Sequence, residues 1–302
     1  MQGEGISRGP RVTFSNLAYQ VPDTASPLGK KAIIHPMSGM FDWGKLGIIM
    51  GAEGSGKSSL LHILGNQTLG SNAELKGTIY HDDKNVEDVP LLPWQRCAFI
   101  ESMDEHFRDL TVMDIMTYAM LLRTDELLPE AELESNINNA IELLQLEEVK
   151  FSKAKKLTDG ELRRLTIAED IVHGPHLILM DEPITNLDAR ESSIIMTHAV
   201  RELVNQDRTV ILTLYQPSAA VFDLCDTLAL LSKGRLIYMG NVADAVNFFV
   251  QSPTMPLKLD KAYENPADFL YSVSANLICD QKNEAADATR LENSYKNSSL
   301  CM

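Results

Sequence analysis

Basic residues are scarce in this chain of 302 residues. Its 27 Lys and Arg stand against 42 Asp and Glu, a net charge of −15. So acidic a balance excludes a protein that grips nucleic acid through its overall charge. Cysteine is scarcer still. Cys97, Cys225, Cys279 and Cys301 lie far apart and form no C-x-x-C pair, which suits a reducing compartment and excludes a disulfide framework. No apolar run reaches the roughly 18 residues of a membrane-spanning helix, and the start, MQGEGISRGPRVTF, has no apolar h-region, so neither a span nor a secretory signal is expected. No internal repeat is visible. His173 and His176 are close but have no Cys or carboxylate cluster at ligand spacing, and they read as ordinary loop histidines.

What is present is an ordinary globular composition. Apolar residues make up 44%, which excludes a disordered or fibrous chain. The length fits one large domain or two ordinary ones. Short apolar runs at 11–14, 45–50, 77–80, 96–100, 177–181 and 209–213 read as strands. Helical spacing appears at 58–65, 112–123, 130–146, 160–172, 189–205, 241–250 and 266–274. Residues 227–231 and 235–238 read as a hairpin turning at Lys233-Gly234. This alternation predicts an α/β fold with a mostly parallel sheet. Leu133, Ile137, Ile141 and Leu144 mark the buried stripe of the second long helix, and the acids of that region (Asp125, Glu126, Glu130, Glu132, Glu134, Glu142, Glu147, Glu148) read as its solvated face. Asn265 caps the last helix, with Pro266 in its first turn. From about Asn276 the chain is polar and without period, and a loose tail is expected.

The strongest motif is Gly51-Ala52-Glu53-Gly54-Ser55-Gly56-Lys57-Ser58, followed by Ser59. It fits G-x-x-x-x-G-K-[ST], with a buried strand before it and a helix after it. Glycines let the backbone turn tightly and aim its N–H groups at phosphate oxygens, and the helix N-terminus adds its partial positive charge. Lys57 would bring a full charge to the β/γ-phosphates, and the Ser58 hydroxyl could ligate Mg²⁺. Such a loop needs an acid on a neighbouring strand. The run 177–182, Leu-Ile-Leu-Met-Asp-Glu, delivers Asp181 to a strand's C-terminal end, where ligands sit in open α/β sheets. Asp181 is the candidate partner of Mg²⁺, and Glu182 is the candidate general base that orients an attacking water.

Together with their surroundings these motifs resemble an ATP-binding domain of the ABC transporter family, subfamily G above all (the white/brown half-transporters and pleiotropic-drug-resistance transporters). The residues that carry the resemblance are 34–41 (Ile-His-Pro-Met-Ser-Gly-Met-Phe), Leu110-Thr111-Val112, and 181–188 (Asp-Glu-Pro-Ile-Thr-Asn-Leu-Asp) as Walker B plus D-loop. Tyr215-Gln216-Pro217-Ser218 matches the switch region, and 265–270 (Asn-Pro-Ala-Asp-Phe-Leu) the domain's end. The resemblance implies a P-loop NTPase with a mostly parallel core sheet, an antiparallel β subdomain and an α-helical signature subdomain. It would run from 11 to 274, with the helical part at about 111–172, between an N-terminal tail (1–10) and a polar C-terminal tail (275–302). It further implies a dimer of two such domains. Each ATP with its Mg²⁺ would lie on one phosphate loop and be closed over by the other subunit's signature loop, here Thr158 and Gly160, with Asp188 in the D-loop. Adenine would stack on an aromatic near the first strand, Tyr19 being the candidate and Phe14, better read as core, the runner-up. In subfamily G a membrane domain follows on the same chain. Here none follows, so a transmembrane partner in trans or a truncated chain is expected, with the ATPase at the cytoplasmic face of a membrane.

Four positions depart from the family pattern. The signature Ser-Gly-Gly-Gln/Glu becomes Thr158-Asp159-Gly160-Glu161, which sets a carboxylate and a Cβ where a polyphosphate should land. Asp159 or Thr158 also reads as a helix N-cap, with Glu161 completing a capping box in the second case. The Q-loop glutamine aligns with Ser102, beside Glu101, and the switch histidine with Tyr215, which is neutral at pH 7. Glu53 sits in the phosphate loop where small residues are usual, and it is expected to point to solvent. The stretch between Val149 and Leu157 is also shorter than in relatives. Nucleotide binding is expected to persist, with slow hydrolysis in a homodimer. The alternatives are a regulatory ATP-binding subunit without useful turnover and, less well supported by the acidic charge and single ATPase domain, a soluble ABC protein of ribosomes or DNA.

Overall fold

The computed structural model describes residues 8–24, 29–67, 72–88, 97–124, 128–252, 257, 264–275 and 284–298. Asp125, Glu126, Cys279, Cys301 and most of the expected N-terminal tail lie outside them. Of the described cysteines, Cys97 and Cys225 are both buried as free thiols.

Two sheets form. An antiparallel one joins β1 (Val12–Pro22), β2 (Lys30–Phe41), β4 (Glu74–His81) and the short β5 (Lys84–Asn85) in the order β2-β1-β4-β5. The other comprises β3 (Leu46–Gly51), β6 (Cys97–Ile100), β7 (Leu177–Met180), β8 (Thr209–Leu214), β9 (Thr227–Ser232) and β10 (Arg235–Asn241), in the order β10-β9-β3-β8-β7-β6. Its pairings are parallel from β9 through β6. Only the β9–β10 hairpin is antiparallel, turning at Lys233-Gly234 as expected. The fold is thus an α/β P-loop NTPase fold with a mostly parallel core sheet. Every residue of β3, β7 and β8 is buried. Strands so continuously apolar need cover on both faces, and that forces helices onto each side of the sheet.

α1 (Lys57–Leu64) leaves β3 through the glycine loop and buries Leu60, Leu61, Ile63 and Leu64. α2 (Val112–Arg123), α3 (Glu130–Leu143) and α4 (Asp159–Ile171) make a helical subdomain. Ile137, Ile141 and Leu144 are buried there, as their spacing requires. Capping boxes start two of these helices. Thr111 pairs with Asp114 ahead of α2, and Thr158 with Glu161 ahead of α4. Thr158, not Asp159, is therefore the cap of α4. α5 (Ala189–Ser193) runs through a π-helical stretch (Ile194–Val200) into α6 (Arg201–Asn205). Then come α7 (Ala219–Phe222), α8 (Ala245–Val250) and α9 (Pro266–Ser274). The Asn265 Oδ1 accepts the Ala267 N–H at 3.0 Å, the cap that the sequence implied.

Two expectations are corrected. The first strand does not stop at Phe14. A bulge at Asn16, whose φ is 49°, breaks the two-residue period, and the strand continues to Pro22. The expected loose tail contains α10 (Glu284–Lys296), in which Ala288, Leu291 and Tyr295 are buried. Three apolar residues at helical steps suffice because Glu292 also reaches Arg235 of β10 at 2.6 Å.

Two measurements follow. Leu291→Ala should cost about 2–5 kcal/mol in a denaturant melt, whereas a loose tail would give a change within about 0.5 kcal/mol. In α4, burial pushes the Asp170 carboxyl up to about 6 despite its ion pair with Arg123. Its folded-state value thus lies above its unfolded one. Its contribution to stability is fully present below pH ~4 and is lost as pH rises through about 6. Asp170→Asn should flatten that part of the pH–stability curve.

Candidate functional site

The topology brings the sequence motifs together. The glycine loop leaves the C-terminal end of β3, Tyr215 follows β8, Asp181 and Glu182 follow β7, and Glu101 and Ser102 follow β6. These are four adjacent strands, all parallel, so four separate segments meet at one sheet edge.

The loop needs its glycines. A Cβ on Gly51 would lie 2.4 Å from the Leu231 carbonyl oxygen. Gly54 and Gly56 have φ of 70° and 97°, in the left-handed region. Lys57 is 6% exposed and folds back on the loop, its Nζ donating to the carbonyls of Gly51 at 2.9 Å and Ala52 at 3.2 Å. Burial lowers its pKa, and Glu182, Asp181 and Glu53 oppose that. Ser55 is buried, with an unpartnered Oγ inside the loop. Ser59 lies in the first turn of α1, and Glu53 is exposed, the placement expected.

A polar chain links the loop to the acids. Asp181 Oδ1 accepts from Ser58 Oγ at 3.1 Å and from Thr213 Oγ1 at 2.6 Å. Thr213 Oγ1 in turn accepts the Glu182 N–H at 2.8 Å. The Glu182 side chain accepts from Thr185 at 3.1 Å. Hard oxygens on Ser58 and Asp181, set side by side at the lysine, fit a Mg²⁺ held by one carboxylate, one hydroxyl, phosphate and water.

Tyr215 stands over Lys57, whose ammonium is 5.6 Å from the ring centroid. Its hydroxyl meets that of Tyr271 on α9 at 2.8 Å, and that hydrogen bond, with burial, pushes Tyr271 up to about 12. Ser102 is exposed at the end of β6. The signature residues have other contacts. Thr158 bonds within its own capping box, and the buried Gly160 faces Glu191, where a Cβ would come within 2.6 Å of that side chain. Asp159 is exposed. Asp188 caps α5 by accepting the Glu191 N–H at 2.9 Å.

Tyr19 is corrected as the adenine platform. It is 6% exposed and packs in the core between the antiparallel sheet and α1, as does Phe14 at 1%, so neither offers a ring face. Several residues with a part in the site had no motif to announce them. Thr213 is an ordinary residue of an apolar strand. Ser274 ends α9, yet its Oγ accepts the Ala52 N–H at 2.8 Å and donates to Leu231. Arg163 of α4 reaches the turn around Glu182. The polar residues of an otherwise apolar strand were the one available signal for Thr213.

The model of the ABC transporter family matches residues 34–185. Among curated relatives, ABC transporter G family member 43 of Arabidopsis thaliana is 32% identical over 277 residues, which cover 87% of this chain and 19% of that protein. ABC transporter G family member 11 of the same plant is 30% identical over 272 residues, 88% of this chain and 37% of its own length. The chain thus spans between about a fifth and two fifths of the length of these relatives. Of solved structures, the dimeric bacterial ABC transporter cassette MJ0796 superposes with a TM-score of 0.66 at 18% identity, over 76% of this chain and 98% of that one. A second structure of that cassette, in a post-hydrolysis state bound to ADP and Pi, gives 0.65. These structures establish the fold.

The Thr213 hydroxyl is the joint of the polar chain. Thr213→Val keeps the shape but leaves the Glu182 N–H without its acceptor, so a loss of about 1–3 kcal/mol is expected in a guanidinium melt. Thr213→Ser, which keeps the hydroxyl, should recover most of it.

Proposed function

The chain belongs to the ABC transporter family, and from that premise we propose that it is the ATP-binding and ATP-hydrolysing subunit of a subfamily-G-like transporter, driven by nucleotide-dependent dimerisation. The observation that carries the reading is the unbroken polar chain from Ser58 through Asp181 and Thr213 to the Glu182 backbone, beside a sequestered Lys57.

In this reading Lys57 exchanges the Gly51 and Ala52 carbonyls for β/γ-phosphate oxygens, a short move because its ammonium already lies inside the loop. The unpartnered Ser55 Oγ and the loop N–H groups take further oxygens. Ser58 and Asp181 hold Mg²⁺, which would neutralise charge developing on the phosphates. Glu182 releases Thr185 to orient the attacking water. Tyr215 donates a neutral hydrogen bond toward the γ-phosphate. Ser102 is too short to reach in directly and works through water.

The second subunit would close over this nucleotide with its signature loop, as Thr158 and Gly160 of this chain would over the other. Asp159 is exposed at that approach and opposes a polyphosphate, and Glu161 is committed to the capping box. Losing one preorganised contact typically costs ~10²–10³ in rate, so slow homodimeric turnover is expected. A partner with an intact signature would restore the site on this chain. These same departures favour the second reading, a regulatory subunit that binds ATP and dimerises without useful turnover.

No helix among the described residues is long and apolar enough to cross a membrane. Met103, Phe107, Tyr118, Leu121 and Leu122, however, expose 47–82% of their surface, and Phe107, Tyr118 and Leu122 line, with Leu110, a groove of about 520 Å³. Large apolar side chains gathered this densely mark an interaction face. In our reading a transmembrane domain, from another chain or from a longer form of this one, docks there and holds the ATPase at the cytoplasmic face of a membrane. The transported substrate would be set by that domain.

The test is phosphate release by the purified chain with Mg²⁺ and ATP. Turnover that falls about 10²–10³-fold in Glu182→Gln, with fluorescent-ATP binding kept and dimers accumulating in light scattering, would support the catalytic reading. Binding without turnover, alone and with an intact-signature cassette, would leave the regulatory one.

A further inference from the structure

The geometry points to Arg163 as a positioning residue that staples Glu182 into its working conformation and so ties that residue to the signature helix. The inference rests on the proposed role of Glu182 as base.

Glu182 has φ of 46°. For a residue with a Cβ this left-handed backbone is strained, and it is a poor fit immediately before a proline, here Pro183. Strain of this kind persists where the surroundings over-determine it. Thr213 holds one side by accepting the Glu182 N–H. Arg163 holds the turn from both ends. Its Nη2 donates to the Asp181 carbonyl at 3.2 Å, in the peptide group immediately before Glu182, and its Nε to the Pro183 carbonyl at 3.0 Å, one peptide group beyond the one that follows it. Its Nη1 is fixed in turn by the Glu101 carbonyl at 2.6 Å and by Asp104 at 3.0 Å. The side chain is 4% exposed, so the fork has little freedom to exchange these partners for water. A lysine ammonium carries the same charge but has no planar fork to span two carbonyls.

The next residue points another way. Arg164 donates to the Leu144 and Gln145 carbonyls and to Glu191. Successive arginines thus pin α4 both to the turn after β7 and to the rest of the helical subdomain. Thr158–Gly160, where a second subunit would engage, lie one turn earlier on the same helix. Movement of that helix end is therefore transmitted through Arg163 to the carbonyls around Glu182. Engagement of the signature loop by one nucleotide adjusts the base that faces the other.

Two measurements on the full chain test this. The first compares Arg163→Lys with Asp104→Asn, which removes the charge facing the same guanidinium but keeps an amide oxygen to accept from its Nη1, and leaves the Glu182 turn untouched. Arg163→Lys should lower kcat by about 10–10²-fold with fluorescent-ATP affinity unchanged, while Asp104→Asn keeps kcat near wild type. If kcat instead tracks the loss of thermal stability in both variants alike, Arg163 is merely structural and the proposal falls. The second measures unfolding by denaturant. Glycine adopts the left-handed turn without strain, so Arg163→Lys should raise the unfolding constant about tenfold less in the Glu182→Gly background than in Glu182→Gln. Equal effects in both backgrounds overturn the staple. A wild-type chain that binds ATP without turnover would defeat the catalytic role of Glu182, and the folding comparison would still decide whether Arg163 holds the turn.

Discussion

One oxygen organises this molecule. Asp181 Oδ1 accepts hydroxyl hydrogen bonds from Ser58, at the start of the helix after β3, and from Thr213, inside β8. Asp181 itself follows β7 and is tied to β6, since its N–H donates to the Ile100 carbonyl at 2.8 Å. A buried carboxylate is costly unless satisfied, and here its satisfaction requires three adjacent parallel strands, β3, β8 and β7, to be in register at their C-terminal ends, with β6 held beside them by the backbone. The same requirement that keeps the acid stable thus gathers the glycine loop, the lysine and the candidate base.

Besides its apolar packing on the sheet, the helical subdomain is attached by polar contacts where it meets this edge. Arg163 and Arg164 are both nearly buried, and both spend their donors largely on backbone carbonyls. Arginine suits this use because its planar fork can satisfy several fixed acceptors at once. An apolar seam would tolerate sliding, whereas a fork directed at particular carbonyls allows few arrangements. That distinction matters for a helix whose N-terminus is read as facing a second subunit.

Much of this was legible in the sequence, and the boundary of legibility has physical causes. The glycine loop, the strand ending in Asp181-Glu182 and the caps at Thr158 and Asn265 are local devices whose residues lie within a few positions of one another. Period alone located Ile137 and Ile141. Tyr19 illustrates the limit, because an aromatic near the first strand serves as well in a core as on a ligand. Ser274 and Arg163 were invisible, and Thr213 was marked only by being polar in an apolar strand, because each acts on backbone or side-chain atoms brought near only by the fold. α10 escaped because its apolar stripe is three residues wide and part of its attachment is the pair Arg235–Glu292.

The bond between Ser274 and the glycine loop alters where the structural surroundings of that loop end. Counting strands would close them at Asn241, the last residue of β10. Yet the Ser274 hydroxyl accepts from Ala52 and its carbonyl accepts from Ser232 at 2.7 Å, so the last turn of α9 is part of the loop's own hydrogen bonding. The loop's hydrogen bonding thus includes an acceptor that arrives some thirty residues after the last strand. Whatever pulls on the chain beyond α9 therefore pulls, through one serine, on the backbone of the glycine loop itself.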